Sequence, residues 1–205
     1  MEELKIFKKD RTYIGTATRD EIHIKGLWHE TFHCWIMAEI EGKEYLYFQL
    51  RSKRKKDYPG LLDITAAGHL LSNENVEDGI REVEEEIGIK VTMDELTYLG
   101  VIPYEKELEG FIDREHAHVY LLQRVIPFEY FTLQAEEVSG IFLVPFEEFY
   151  QLWFGNYKHV AMVGIKEKEN GERVRITMKA DKDMFVPHND SFYKDTLDAI
   201  KSGRN

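Results

Sequence analysis

Hydrophobic positions along the chain fall first into short runs of aromatic and β-branched residues with turn signals between them. The opening "KIFKKDRTYIGTATRDEIHIKG" predicts a hairpin or a short strand, followed by a helical turn. "FHCWIMAEI" and "YLYFQLR", joined by "EGKE", predict two paired strands. The basic stretch "RSKRKKDYPG" then leads through Pro59-Gly60 into the short run "LLDIT". "LTYLGVIPYE", "HAHVYLLQRV" and "SGIFLVPF" predict three more strands, and "FEEFYQLWF" a helix. From about residue 156 come a strand-like "HVAMVGI", an "ENGE" turn, "RVRITMKA" and a last helix near "SFYKDTLDAIKS".

One stretch has a different period. In "AAGHLLSNENVEDGIREVEEEIGI" the apolar residues Val76, Ile80, Val83 and Ile87 recur as on a helix. At about 100° per residue with Glu82 at zero, these four fall between about 100° and 160°. Glu85 and Glu86 fall at about −60° and +40°, on one face with Glu82. Gly88 is placed to end the helix in the left-handed conformation. Strands on both sides of this helix, with another helix later, predict an α+β or α/β sandwich around a mixed sheet. We read residues 1–155 as one domain and 156–205 as a C-terminal extension packed on the same core.

Like charges at i, i+3 and i+4 repel by a few tenths of a kcal/mol per pair, so the acidic face calls for a positive partner. A plain solvated face is the competing explanation. Composition narrows the choice. Among 205 residues, 43% are hydrophobic and 32% charged, as in an ordinary globular protein. The formal net charge of −11 argues against a general nucleic-acid or membrane-surface binder. A single cysteine, Cys34, excludes an internal disulfide and a cysteine-rich zinc site. With a charged N-terminus and no long apolar run, a cytoplasmic location is expected.

The residues around the acidic helix resemble the Nudix box, G-x5-E-x7-R-E-U-x-E-E-x-G-U, where U is aliphatic. Gly68, Glu74, Arg81, Glu82, Val83, Glu85, Glu86, Gly88 and Ile89 match by type, and "REVEEEIGI" is intact. One departure is plain: six residues, not seven, separate Glu74 from Arg81. The resemblance implies a Nudix-like α/β/α sandwich that uses Mg²⁺ or Mn²⁺ to hydrolyse diphosphates. It implies metal ligation by Glu82, Glu85 and Glu86, with the Gly68 carbonyl as a further ligand. Glu74 and Arg81 are then expected to orient the helix face through salt bridges.

Upstream segments are also similar to the branch containing type 1 isopentenyl diphosphate isomerase and its hydrolase relatives. In that isomerase a basic segment ending in W-P-G holds the diphosphate. Arg51 and Lys55, ahead of Tyr58-Pro59-Gly60, match its phosphate-binding positions, while Lys53, Arg54 and Lys56 are expected to be solvated. The isomerase also places histidines and acids around a metal. His29 and His69 match those positions, His23 nearly so, and Glu115 matches a catalytic glutamate, with Asp113 two residues before it. Both His29 and His69 are thus candidates for an additional metal or substrate contact. His33, His116, His118, His159 and His188 are taken as structural.

The isomerase needs a cysteine before the Gly-His pair, where this chain has Ala67. A complete acidic face without that cysteine favours a hydrolase cleaving a nucleoside diphosphate linked to another group. The alternatives are an isopentenyl diphosphate isomerase-like enzyme and a non-catalytic Nudix-fold sensor of a nucleotide or sugar phosphate. Candidate general bases are Glu85, Glu86 and Glu115, with Glu136 and Glu137 as rivals that read first as a solvated loop end. Trp28, Phe32, Trp35 and Tyr120 are available to stack on a base, though strand aromatics mostly fill cores. The expected partner is a small diphosphate, with no nucleic acid and no membrane. Homodimers are frequent in the family, but no residue here points to one.

Overall fold

A computed structural model describes residues 2–168 and 170–203, so Glu169 of the expected "ENGE" turn lies outside them. The chain opens with strands β1 (Glu3–Phe7) and β2 (Tyr13–Thr18), an antiparallel hairpin, and helix α1 (Arg19–Lys25). Strands β3 (Trp28–Ile40) and β4 (Lys43–Arg51) follow, then the short β5 (Leu62–Asp63) and β6 (Ala66–His69). Helix α2 (Arg81–Ile87) carries the acidic face. Strands β7 (Leu96–Leu108), β8 (Phe111–Gln123) and β9 (Val138–Pro145) come next, then helix α3 (Phe146–Phe154). The hairpin of β10 (Val160–Glu167) and β11 (Arg173–Ala180) precedes the last helix, α4 (Asp190–Ser202).

Among the described residues eleven strands join one mixed sheet, with a principal path β11-β10-β9-β4-β3-β1-β2. Its pairings are antiparallel except β3 with β8, which run parallel from His29↔Glu115 to Met37↔Gln123. Strand β3 is central, so both of its faces are covered and it reads as an almost continuous apolar run. Phe32, Cys34, Ile36 and Ala38 face a core closed by Val83 and Ile87 of α2. Trp35 and Met37 face the opposite core, closed by α3 and α4 through Phe146, Phe149, Phe192 and Leu197. Helices thus cover both faces of the sheet. Each fully buried aliphatic or aromatic side chain stabilises this arrangement by about 1.5–3 kcal/mol.

The acidic helix differs from the expectation in one respect. Val76–Ile80 form a 3₁₀ turn, capped by Asn75, and α-geometry begins only at Arg81. A 3₁₀ turn rises about 2.0 Å per residue against 1.5 Å in an α-helix. Fewer residues therefore span the same distance, which accommodates the short spacing between Glu74 and Arg81. At the other end Gly88 adopts φ 72°, and its N–H caps Glu84 and Val83. A Cβ there would meet Thr132 at 2.5 Å.

A split in the sheet makes the site. Strands β3 and β4 pair only over Ile36–Ile40 and Lys43–Tyr47. Beyond that they diverge: β6 pairs with β3 at Thr31–Cys34, and β5 pairs with β4 at Gln49–Leu50. The residues after 155 are woven into the same sheet and core, since β10 pairs with β9 and Phe192, Tyr193, Leu197 and Ile200 are buried. No helix among the described residues is long and apolar enough to cross a membrane.

Candidate active site and metal centre

The split opens into a cavity of about 390 Å³. Arg51, Lys55, Gly68, His69, Arg81, Glu82, Glu85, Glu86 and Glu115 all line it. One wall is the face of α2. Glu86 is buried, and its carboxylate accepts from Ala67 N–H at 3.1 Å and Gln49 Nε2 at 3.0 Å. Burial, reinforced by the charge of Glu82, pushes the Glu86 carboxyl up to about 8. Burial likewise pushes Glu82 up to about 7, against the pull of Arg81. Gly68 sits against this pair: a Cβ on it would lie 2.1 Å from the Glu82 carboxyl carbon. No other residue fits there without displacing Glu82.

Arg81 braces the wall. Its Nε donates to Glu74 at 2.5 Å, its Nη1 to Glu82 at 2.6 Å and Glu85 at 2.9 Å, and its Nη2 to the His69 carbonyl at 3.2 Å. Glu74 also accepts from Leu71 N–H at 2.8 Å. One guanidinium therefore faces Glu74, Glu82 and Glu85, with Glu86 behind. Burial is the main reason that Glu82 and Glu86 resist ionisation, and the neighbouring carboxylates, Glu85 beside Glu82 and Glu82 beside Glu86, add to it.

The opposite wall is built from α1, β3, β6 and β8. His23, His29 and His69 bring ring nitrogens within 4.8 Å of one another, and His29, Asp113 and Glu115 do the same with theirs. The Nδ1 of His29 lies 3.1 Å from the Leu27 carbonyl, so Nδ1 carries the proton and Nε2 presents a lone pair. That Nε2 and Asp113 Oδ1 lie 3.7 Å apart, both buried and without a hydrogen-bond partner. A lone pair facing a carboxylate across such a gap is unfavourable unless a cation or donor joins them. Burial pulls His29 down to about 4 and His69 well below the usual histidine range, so both rings are neutral at pH 7. Burial also acts to lower His23, but Asp113 and the Arg19 carbonyl outweigh it and raise it. Glu115 accepts from Thr31 at 3.1 Å and lies 3.3 Å from His33 Nε2; these partners hold it low despite burial.

The basic segment lies at the third side. Arg51 donates to Asp63 at 2.8 Å and to the Asp57 carbonyl at 3.1 and 2.9 Å. Lys55 pairs with Glu137, which also lines the cavity. Lys53, Arg54 and Lys56 are exposed, with Arg54 pairing Glu136 on the surface. Tyr58, at φ 51°, lines the cavity with a buried hydroxyl that has no hydrogen-bond partner.

Sequence reasoning left two cavity residues as structural. His33 lines it beside Glu115, and His188 lines it from the C-terminal extension, 2.9 Å from Asp63. The pattern did contain a signal for the first: His29, Thr31 and His33 alternate along one strand face. None existed for His188. By contrast His118 pairs Glu30 at 3.0 Å, His116 meets the Lys8 carbonyl at 3.1 Å, and His159 is exposed, all away from the cavity. Trp28, Phe32, Trp35 and Tyr120 are buried and do not line it.

An acidic helix face and a basic segment thus line one cavity in a split mixed sheet. Residues 28–163 match the NUDIX domain, and the chain belongs to the Nudix hydrolase family. A Nudix hydrolase from Clostridium acetobutylicum is 37% identical over 202 residues, covering 98% of each chain. The isopentenyl-diphosphate Delta-isomerase of Aliivibrio fischeri is 39% identical over 131 residues, 62% of this chain and 71% of that one. A crystal structure from Deinococcus radiodurans shares the fold, with a TM-score of 0.52 and 19% identity over 71% of this chain and 85% of that one.

Proposed function

We propose that the chain is a divalent-metal-dependent pyrophosphohydrolase. Water attacks a phosphorus of a nucleoside diphosphate linked to another group, and the phosphoanhydride breaks. The observation that supports this reading is the carboxylate face of α2: Glu82, Glu85 and Glu86 line one cavity with Gly68 packed against the Glu82 carboxyl, and burial raises Glu82 and Glu86 so that a cation there would favour their ionised forms. The donor chemistry fits: hard carboxylate oxygens on a rigid helix suit Mg²⁺ or Mn²⁺, held by Glu82, Glu85, Glu86 and the Gly68 carbonyl. When bound, such a cation neutralises the diphosphate and lowers the pKa of water toward neutrality.

The chain's own groups do the rest. Arg51 and Lys55 donate charge-assisted hydrogen bonds to the diphosphate, which competes with Glu137 for Lys55. Glu74 and Arg81 hold the carboxylate face in register. Of the candidate bases, Glu115 stays ionised at neutral pH and lines the cavity, whereas Glu85 is tied to Arg81. Glu86 keeps one carboxylate oxygen outside its hydrogen bonds to Gln49 and Ala67. His23, His29, His69, Asp113 and Glu115 form a second donor set of mixed nitrogen and oxygen ligands, suited to Mn²⁺ or another transition ion.

That second set is also what favours the rival reading, a prenyl-diphosphate isomerase. The residue chemistry opposes it. Ala67 stands where the isomerase cysteine would be, and Cys34 is fully buried, absent from the cavity lining, its thiol pushed up by burial to about 12. The deciding experiment incubates the protein with nucleotide sugars, dinucleotide diphosphates, nucleoside diphosphates and isopentenyl diphosphate, each with Mg²⁺ or Mn²⁺. Metal-dependent phosphate or nucleotide release is expected from at least one nucleoside diphosphate derivative. Isomerised prenyl diphosphate without cleavage supports the rival. Tight binding with no turnover anywhere moves the reading to a sensor.

A further inference from the structure

Residues 185–189 of the C-terminal extension are tied to the cavity wall from several sides. Val186 N–H donates to the Leu62 carbonyl of β5 at 2.8 Å. Tyr193 of α4 donates its hydroxyl to the Val186 carbonyl at 2.9 Å, and Lys106 donates to the Pro187 carbonyl at 2.9 Å. Asn189 donates to the Glu105 carbonyl at 3.1 Å while its side-chain oxygen caps α4. The His188 ring is fixed among Tyr104, Phe192 and Tyr193, with centroids 5.2, 5.1 and 5.3 Å away. From that seat its Nε2 reaches Asp63 Oδ1 at 2.9 Å.

Asp63 is buried, and its two oxygens are divided. Oδ2 accepts from Arg51 at 2.8 Å, and Oδ1 accepts from His188 and from Ile64 N–H at 2.9 Å. Facing an ionised carboxylate, His188 must carry its proton on Nε2. Arg51, Asp63 and His188 therefore form one chain of charge-assisted hydrogen bonds, and Arg51, Asp63 and His188 all line the cavity. Removing the imidazole would leave Oδ1 with Ile64 N–H as its one donor and loosen the carboxylate, so that the guanidinium would keep its two bonds to the Asp57 carbonyl but lose a fixed partner at Nη1.

We propose that His188 is a positioning residue for substrate binding: through Asp63 it aims the Arg51 guanidinium at the diphosphate. The C-terminal extension is then part of the binding site and not an appendage. This rests on the reading that Arg51 holds the diphosphate. Because it acts on binding geometry, its loss raises KM and leaves kcat nearly unchanged.

The test measures binding of methylenediphosphonate, a non-hydrolysable diphosphate, with Mg²⁺ present, alongside KM and kcat for whichever diphosphate the chain cleaves. His188→Ala, His188→Gln, His188→Phe, Arg51→Ala and the Arg51→Ala/His188→Ala double variant are compared, each checked for cooperative thermal unfolding. His188→Ala is expected to weaken probe binding and raise KM roughly tenfold, the size of a misaligned charge-assisted hydrogen bond, with kcat within about twofold. His188→Gln, whose amide nitrogen falls near the Nε2 position that donates to Asp63, is expected to recover most of that loss. In the Arg51→Ala background the His188 change should cost nothing further. Independent, additive losses, or a fall in kcat at unchanged KM, would overturn the proposal. If His188→Ala does not unfold cooperatively, His188→Phe, which keeps the ring packing and removes the N–H, takes its place, and wild-type probe binding by it would equally overturn the proposal. If Arg51→Ala binds the probe as the wild type does, the assignment of Arg51 itself fails, and this inference with it. If Arg51→Ala is impaired and His188→Ala is not, only the inference fails.

Discussion

The two donor sets at the cavity solve one problem by opposite means. The α2 face gathers like charges, Glu82, Glu85 and Glu86 with Glu74, and restrains them with Arg81. Its oxygens are hard, and two of the carboxyls, Glu82 and Glu86, are pushed by burial to titrate near neutrality. The other face instead assembles imidazoles, of which His29 and His69 are neutral, with Asp113 and Glu115, and leaves His29 Nε2 and Asp113 Oδ1 without partners. A single helix can deliver the first set from seven consecutive residues. The second needs α1, β3, β6 and β8 to converge. The difference teaches that a carboxylate wall is a local property of sequence, whereas a mixed histidine–acid wall is a property of topology.

Breaking the α2 wall should have the largest effect. Glu86→Gln keeps the shape and the hydrogen bonds' heavy atoms but removes the charge. We expect it to lower kcat at least about a hundredfold, near 3 kcal/mol of barrier, in steady-state hydrolysis. Next is Arg81→Lys, since an ammonium cannot serve Glu74, Glu82, Glu85 and the His69 carbonyl together. A loss of about tenfold to a hundredfold in kcat/KM is expected, with a thermal midpoint a few degrees lower.

The two walls should also part company in their response to pH. Glu82 and Glu86 fold with carboxyls at about 7 and 8, above the 4.5 of a free glutamate. A raised carboxyl stabilises the fold fully below about 4.5, and that contribution is lost as pH climbs through about 8. Without metal, the thermal midpoint should therefore fall between pH 5 and 8 more steeply in the wild type than in Glu86→Gln. Added Mg²⁺ should restore more stability at pH 8 than at pH 5, because proton and cation compete for the same oxygens. Equal slopes for the two proteins would remove the electrostatic argument for the α2 wall.

Gly68→Ala should have the smallest effect, and it sharpens the geometry. The added methyl meets the Glu82 carboxyl, the far end of a flexible side chain, so the fold should lose about 1 kcal/mol or less in denaturant unfolding. Activity should fall more than stability, by roughly tenfold, since the displaced carboxylate is a proposed ligand.

Much of this was legible in the sequence, for physical reasons. Most strands were visible because their apolar runs and turn residues are local, and β3 was unmistakable because both faces are buried, whereas the short β6, which carries Gly68 and His69, has no such run and was not anticipated. The carboxylates of α2 could be placed on one face by angle alone. The angle argument failed upstream, where a helical pattern with the α period concealed a 3₁₀ turn at Val76–Ile80. Resemblance supplied His29, His69 and Glu115, but the gap between His29 and Asp113 exists only once β3 and β8 pair in parallel. His33 had a faint signal in the strand alternation. Nothing in the sequence joins His188 to Asp63, which lie 125 residues apart. Glu137 was read as a loop end, yet it sits in the cavity against Lys55.

The most direct test of the account is the Mn²⁺ stoichiometry at pH 7.5, read by electron paramagnetic resonance titration of the wild type, Glu86→Gln and His69→Asn. Two ions are expected in the wild type. Glu86→Gln should lose one and most of the hydrolysis with it, and His69→Asn should lose the other. A Glu86→Gln protein that binds as much Mn²⁺ as the wild type, with the same affinity, would contradict the claim that α2 is a metal-binding face.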